Sequence, residues 1–146
     1  MNNLQAVQFN NLTPPAALVN NASVTVAALD TRGFSYADIL VALGATDIAL
    51  TALKLQESDD NSTYTDVPLS DYSVAAVGTL PTATDDNHIF GWSVNSKGNR
   101  KRYLKPVITI GNGTAGAYIS VIGLLSKAEF IPTTAAQRGF TQVVNL

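Results

Sequence analysis

Cysteine is absent from the 146-residue sequence, and histidine and tryptophan each occur once. The absence of cysteine excludes disulfides, thiolate metal ligands and thiol nucleophiles. With His88 as the single histidine, no metal site can use two histidines, and a catalytic triad has one candidate base. No G-x-S-x-G nucleophile motif accompanies it. We therefore expect a protein that is not an enzyme and that holds no cofactor or metal ion.

Charged side chains are also scarce. They make up 14% of the residues, against about 25% in typical soluble domains, and the net charge is −2. This composition favours a surface that contacts other proteins, although a soluble domain without special function would share it. The first residues lack the basic and apolar blocks of a signal peptide, and no apolar run approaches the roughly 20 residues that cross a membrane, so we expect no membrane partner.

Turns rich in Gly, Asn and Asp separate short runs of β-branched and aromatic residues along the chain. The pattern predicts an all-β protein, with one antiparallel β-sandwich or jelly-roll-like domain. A helix over residues 45–55 competes with this interpretation, but their β-branched residues favour a strand. The predicted strands cover residues 24–29, 39–43, 48–56, 63–67, 72–77, 88–94, 103–110 and 117–125.

Alternation along two of these strands predicts which side chains are buried; in the strand at residues 48–56, Leu53 and Leu55 share one face. Phe90, Trp92 and Val94 share one face of their strand, so we expect them in the core. The last strand, "AYISVIGLL", is apolar on both faces. Such a strand is either central in the sandwich or covered by a neighbouring subunit.

The two ends of the chain differ from its middle. We predict an N-terminal arm at residues 1–22, a β-sandwich domain at 23–130 and a C-terminal tail at 131–146. No charged residue precedes Asp30, and both ends carry apolar side chains that need a cover. The ends either fold back onto their own domain or cross to another chain. They contribute these residues to a hypothetical partner interface: Asn2, Leu4, Val7, Phe9, Leu12, Leu18, Phe140, Val143 and Leu146.

The acidic stretch "LKLQESDDNSTYTDVP" is a first candidate for chemistry. Its carboxylates could ligate calcium, but the stretch lacks the spacing and the central glycine of an EF-hand loop. Asp and Asn tolerate left-handed backbone conformations and bond their own backbone, so we interpret residues 59–62 as a hairpin turn. Another loop, "GNGTAG", lacks the lysine of a phosphate-binding loop, and we interpret it as a second hairpin.

The basic stretch "KGNRKRYLK" holds five of the nine basic residues. Nucleic acid is not the expected partner, because the net charge is negative and few aromatic side chains are interleaved with the cations. A protein with an acidic surface suits Arg100, Lys101 and Arg102 better, and these residues join the hypothetical partner interface. The alternative is a solvated loop that leads into a strand.

Two long stretches carry a family resemblance. They are "ALDTRGFSYADILVALGATDIALTALKLQESDDNSTYTDVP" and "NRKRYLKPVITIGNGTAGAYISVIGLLSKAEFIP". They resemble a group of small structural proteins encoded in the head-gene regions of tailed bacteriophages and prophages. The shared pattern is a "DT-G-F/Y" turn, a strand into "QESDD" and a "KRY" strand that ends in a hydrophobic hairpin. In this sequence its positions are Asp30, Thr31, Gly33, Phe34, residues 53–60 and residues 101–104.

The resemblance implies a capsid decoration, or cement, protein. It would be made in the host bacterial cytoplasm and would sit on the outer surface of the virion, often as a homotrimer. Its partners would be the major capsid protein and further copies of itself. The alternative is a receptor- or glycan-binding module of a head fibre or tail, because β-sandwiches also serve as lectins. A small hydrolase that uses His88 is a third hypothesis.

Overall fold

Eight strands in two antiparallel sheets build the fold, which a computed structural model describes for residues 6–144. One sheet has the order β1-β8-β3-β6 and the other β2-β7-β4-β5. The prediction of an all-β sandwich is therefore confirmed. The elements are β1 (Gln8–Thr13), β2 (Leu29–Asp30), β3 (Phe34–Thr46), β4 (Leu50–Ser58), β5 (Thr65–Asp66), β6 (Ile89–Asn95), β7 (Tyr103–Ile110), β8 (Ala117–Ala128) and a 3-10 helix, Ala136–Arg138.

The pairing of the strands is that of a jelly roll. The first strand pairs with the eighth, the second with the seventh, the third with the sixth and the fourth with the fifth. Two further pairings, β3 with β8 and β4 with β7, complete the two sheets. The chain is thus one long antiparallel ribbon rolled into a sandwich.

Alternation within the strands builds the core between the two sheets. In β3, Ala37, Ile39, Val41 and Leu43 are buried, and the residues between them face outward. Burying a Leu or Ile side chain of this kind stabilises a fold by about 1.5–3 kcal/mol. The opposite sheet contributes fully buried side chains to the same core: Leu53, Leu55, Leu104, Ile108 and Ile110.

Six of the eight predicted strands overlap observed ones, although β3 extends beyond the predicted residues 39–43 at both ends and β5 is shorter than the predicted 63–67. The bounds of β7 are those predicted, and β8 extends three residues beyond the prediction. The strand predicted at residues 24–29 is largely wrong. Only Leu29–Asp30 forms a strand there, and the residues before it run beside β7 with irregular hydrogen bonds, such as Val24 N–H to Ile108 O at 2.9 Å.

The strand predicted at residues 72–77 is also wrong, because these residues form turns. The Asp71 carboxylate accepts hydrogen bonds from the amide and the hydroxyl of Ser73, at 2.8 and 2.7 Å. Such local bonds compete with a ladder. The Tyr72 ring then packs edge-on against Phe90 and Trp92, with ring centroids 6.3 and 5.7 Å away. The segment covers β6 instead of extending a sheet.

The loop "GNGTAG" connects the two sheets, so its interpretation as a hairpin is wrong. It leaves β7 in one sheet and enters β8 in the other. The Asp47 carboxylate accepts three backbone hydrogen bonds from residues 114, 115 and 116, at 2.8, 2.7 and 2.8 Å. These bonds, chiefly those from Ala115 and Gly116, hold the pKa of Asp47 below its ordinary value. Asp47 holds the second half of the crossing, and the Asn20 side chain holds its first half through two hydrogen bonds with the Gly113 backbone, at 2.8 and 2.9 Å.

The N-terminal segment folds back onto its own domain, so the predicted arm is wrong for residues 8–13. These residues form β1, an edge strand that pairs with β8. Leu12, expected at a partner interface, lies in the core with 6% exposure. Further along, Val19 and Ala117 exchange two backbone hydrogen bonds, at 3.0 and 2.9 Å. Asn2 and Leu4 lie outside the described residues, as does Leu146.

The C-terminal segment packs against β1. Phe140 contacts Phe9, with ring centroids 5.0 Å apart, and Arg138 is buried. Gly139 has a left-handed φ of +79°, and a Cβ atom built on it would stand 1.6 Å from the Phe9 carbonyl oxygen. The close approach of the two backbones therefore requires glycine.

We predict that Gly139→Ala releases this segment from β1. Trypsin should then cleave after Arg138 much faster than in the wild type, which intact-mass spectrometry of timed digests will show. Gly33→Ala is the matched control, since Gly33 has a φ of +84° but nothing within 4 Å of its would-be Cβ. The control should lose only the stability of about 1–2 kcal/mol that a left-handed backbone conformation costs a residue with a Cβ atom. Equal cleavage rates in the two variants would contradict the prediction.

Candidate interaction surfaces

Three motifs that are distant in sequence meet at one end of the sandwich. The "DTRG" motif spans the end of β2 and the turn into β3, the acidic stretch includes the turn between β4 and β5, and the basic stretch occupies the loop before β7 and the start of β7. We call the side chains that join them the motif cluster. Its members are Asp30, Thr31, Glu57, Arg100, Lys101 and Arg102.

Arg102 binds Asp30 through two parallel hydrogen bonds. The Nε–Oδ1 distance is 2.8 Å and the Nη2–Oδ2 distance is 2.6 Å. Thr31 adds to the link, because its hydroxyl and its amide both donate to the Arg102 carbonyl oxygen. The hydrogen bonds from Arg102 hold the pKa of Asp30 below its ordinary value. This bidentate pair ties the "DTRG" turn to the basic stretch.

Glu57 makes a second link within the motif cluster. Its side chain is 9% exposed, and the carboxylate accepts the Lys101 amide at 3.1 Å, while the Nε atom of Arg100 lies 3.6 Å away. The Lys101 ammonium reaches the Thr65 hydroxyl at 3.2 Å and Asp59 at 4.0 Å. The three cations that we predicted for an acidic partner therefore have acidic neighbours within their own chain.

The acidic stretch forms the turn that its residues predict. Asp60 Oδ1 accepts hydrogen bonds from the Ser62 and Thr63 amides and from the Ser58 hydroxyl, at 2.9, 2.8 and 2.8 Å. These bonds hold the pKa of Asp60 far below its ordinary value. Asn61 adopts a left-handed φ of 59°. The carboxylate is engaged by its own turn, which joins β4 to β5.

His88 gives little support to the hydrolase hypothesis. Its side chain is 62% exposed, and its Nδ1 atom lies 3.5 Å from Asp85. Across residues 6–144, no three His, Cys, Asp or Glu side chains are grouped so as to hold a metal ion. Over the same range, no helix is long and apolar enough to cross a membrane.

The outer surface of the β1-β8-β3-β6 sheet is apolar and exposed. The inward side chains of β8 are buried, whereas Tyr118 and Ile122 on its other face are 45% and 42% exposed. The two-sided apolar strand is therefore central in its sheet, and its outer face has no cover within the described residues. We call this surface the apolar face. Its apolar side chains are Tyr36, Leu40, Ala42, Ile89, Tyr118, Ile122 and Leu124, and the same register places Asp38, Ser93, Ser120 and Ser126 on this face.

Charge is distributed unequally between the two sheets. The four strands that form the apolar face contain two charged residues, Asp38 and Lys127. The strands of the other sheet are shorter in total but contain five: Asp30, Lys54, Glu57, Asp66 and Lys105. One sheet thus presents more charge to water than the other, whose outer face combines apolar side chains with hydroxyls and one carboxylate, Asp38.

Three shallow hollows indent the apolar face. Their volumes are about 340, 430 and 330 Å³. Ile89 lines the first two, and Ile122 lines the third together with Phe9 and Phe140. Two of the residues predicted at a partner interface therefore border this surface.

Further apolar side chains project beyond the end of β8. Phe130 is 89% exposed and Ile131 is 51% exposed. The residue before them is anchored, since the Glu129 amide donates to the Gly33 carbonyl at 2.8 Å and its carboxylate pairs with Lys97. We call Phe130 and Ile131 the apolar tip. Sequence reasoning missed it, because apolar residues directly after a strand resemble a continuation of that strand.

The remaining predicted interface residues are only partly accessible. Leu18 is 41% exposed, whereas Val7, Phe9, Phe140 and Val143 are half-buried against their own chain. The structure does not gather the predicted set into one patch. Phe9 and Phe140 meet each other, and the basic residues lie together in the motif cluster.

Comparison with known proteins assigns no family to the chain. No protein-family model matches it, and no curated protein matches it. Among solved structures, the crystal structure of the SPBc2 prophage-derived protein YomS is similar, with a TM-score of 0.46 and 11% sequence identity. The alignment covers 82% of this chain and 91% of that one. A similarity at this level assigns neither a family nor a function.

We predict that Arg102→Ala destabilises the protein in a pH-dependent way. Because the pKa of Asp30 is lowered in the folded state, the pair contributes stability above the ordinary carboxyl pKa of about 4, and this contribution disappears as the pH falls through the lowered value. The variant should melt a few degrees below the wild type at pH 7, and the gap should close towards pH 2.

Arg102→Lys is the control for this experiment. It keeps the charge but loses the planar, two-pronged contact, so its melting temperature should lie between those of the wild type and the alanine variant. Calorimetry or circular dichroism at several pH values gives all three curves. A gap that is the same at pH 7 and at pH 2 would contradict the role of the Asp30 carboxylate.

Proposed function

We propose that this chain is a structural virion protein that decorates a bacteriophage capsid and stabilises it by bridging major capsid protein subunits. The observation that carries the proposal is the presence of two separate apolar surfaces on one small domain, the apolar face and the apolar tip. A bridging protein needs at least two contact regions. The resemblance of residues 28–68 and 99–132 to phage head proteins supports the choice of partner.

The mechanism follows from surface burial. A cement protein performs no reaction; it adds contacts that must be broken before neighbouring capsid subunits separate. Removing apolar surface from water contributes about 25 cal/mol per Å², and Phe is among the residues that dominate interface energies. Phe130, at 89% exposure, has nearly its whole side chain available for such a contact.

The motif cluster has a supporting role in this proposal. Ion pairs and hydrogen bonds join the turns at the end of the sandwich from which the apolar tip projects. A rigid base reduces the entropy that an exposed side chain loses on binding. We assign Arg100, Lys101 and Arg102 to this base and not to a direct contact with an acidic partner.

The glycan-binding alternative receives less support. Lectin-like sites use exposed aromatic rings, and although Tyr118 and Phe130 are exposed, the single tryptophan is held within the domain. Trp92 packs against Tyr72, and its Nε1 atom donates to the Ser70 carbonyl oxygen at 2.9 Å. Silence on a glycan array, with capsid binding present, would separate the two functions.

We predict that replacing both residues of the apolar tip by serine weakens capsid binding. The assay is co-sedimentation with capsids built from the major capsid protein of the genome that encodes this chain. The loss should be at least about tenfold, since truncating one buried interface anchor costs more than about 1 kcal/mol. Capsids bearing the wild type should also break at a higher temperature than bare capsids.

Leu69→Ser is the matched control, because Leu69 is 84% exposed but lies between β5 and β6, away from the apolar tip. It should bind like the wild type. Equal binding by the tip variant and the control would exclude the tip as the contact. Failure of the wild type to bind or to stabilise capsids would overturn the proposed function itself.

A further inference from the structure

We propose that Asn112 is a site of spontaneous deamidation and that the Asn20 side chain sets the rate of this modification. Asn112 lies in the loop that crosses from β7 to β8, and it is the one asparagine in the sequence that is followed by glycine. The reaction needs no enzyme and no partner protein, so the proposal does not depend on the capsid assignment.

The reaction closes a succinimide ring and then opens it with water. The Gly113 amide nitrogen gives up its proton to hydroxide and bonds to the Asn112 Cγ atom, and the Cγ–Nδ2 bond breaks as ammonia leaves. Hydrolysis of the ring at Cγ gives aspartate, and hydrolysis at the Asn112 backbone carbonyl gives isoaspartate. The net change is the loss of ammonia and the gain of water.

Asn112 is accessible to this reaction. Its side chain is exposed, and within the described residues it makes no hydrogen bond. Glycine at the next position leaves the attacking nitrogen unhindered, because it has no side chain. Each of the other asparagines in residues 6–144 is followed by a residue with a Cβ atom. Asn112 is therefore the asparagine of this range that should react first.

Packing keeps glycine at position 113. A Cβ atom built on Gly113 would stand 2.5 Å from Asp47 Oδ1 and 2.8 Å from Ile48 Cβ. A larger residue would therefore displace the carboxylate that binds the amides of residues 114–116. The reactive Asn-Gly sequence thus follows from the close packing of the crossing loop on the turn between β3 and β4.

Asn20 opposes the reaction because it holds the attacking group. The Gly113 amide donates to Asn20 Oδ1 at 2.9 Å, and Asn20 Nδ2 donates to the Gly113 carbonyl oxygen at 2.8 Å. The first bond disfavours loss of the amide proton, since the resulting anion would face an oxygen lone pair. Both bonds restrain the rotation of the peptide group that ring closure requires. The reaction therefore proceeds when these two bonds open locally.

Isoaspartate would loosen the crossing between the two sheets. It adds a main-chain carbon between Gly111 and Gly113, both of which are anchored. The Gly111 amide donates to the Ala49 carbonyl oxygen at 3.1 Å, and Gly113 is held by Asn20. Because the segment between these anchors is short, lengthening its backbone strains one anchor or the other.

The test is storage of the purified full chain at mildly alkaline pH, followed by peptide mapping with mass spectrometry. Asn112 should convert before any other asparagine in residues 6–144. Asn20→Ala should accelerate conversion at Asn112 at least about fivefold, because two hydrogen bonds of ordinary strength are lost. Asn11→Ala is the matched control, since Asn11 is an exposed asparagine of β1. Its rate of conversion at Asn112 should equal that of the wild type.

A synthetic peptide of residues 109–116 supplies the rate without the fold and should convert faster than the wild-type protein. Circular dichroism will verify that each variant is folded. Should Asn20→Ala not fold, Asn20→Ser is the replacement, because serine is too short to hold both backbone groups of Gly113 and should also accelerate conversion. The purified isoaspartate form should melt below the fresh protein.

Three results would overturn the proposal. In the first, another asparagine in residues 6–144 converts before Asn112. In the second, the folded Asn20 variant converts no faster than the Asn11→Ala control. In the third, the peptide converts no faster than the wild-type protein. Equal melting temperatures of the isoaspartate form and the fresh protein would refute the loosening of the crossing.

Discussion

The pairing of β3 with β8 is the constraint on which the rest of the structure depends. These are the two longest strands, and they lie side by side at the centre of one sheet. Their inward side chains, such as Ile39 and Val121, form one wall of the core, and their outward side chains form the middle of the apolar face. The partners Leu40 and Ile122 are separated by more than half of the chain. Pairing them therefore requires the long segment between them to be ordered, which costs conformational entropy.

Electrostatics in this protein act mainly within the chain. Asp47 fixes the crossing between the sheets, Asp60 fixes the β4–β5 turn, and Asp30 holds Arg102. Each of these carboxylates is engaged by backbone amides or by one cation, and each has a lowered pKa as a result. Few charges remain outside these contacts, so the proposed capsid partner would have to be recognised by shape and by buried apolar area.

Sequence reasoning predicted the parts of the fold that depend on local pattern. Turn signals and strand composition located β7 and β8, and the Asp-Asp-Asn sequence located the β4–β5 turn, because these signals and left-handed Asn conformations are local properties. It did not predict β1. An uncharged edge strand with Asn10 and Asn11 in it has no alternation, and only its pairing with β8 makes it a strand.

The candidate surfaces depend on topology even more strongly. From sequence alone, Arg100 to Arg102 look like three free cations, since Asp30 and Glu57 are remote along the chain. The jelly-roll connections bring all three turns to one end, where these charges neutralise each other. The apolar character of β8 was visible in its sequence, but whether its second face is buried in the sandwich or open is decided by which strands flank it.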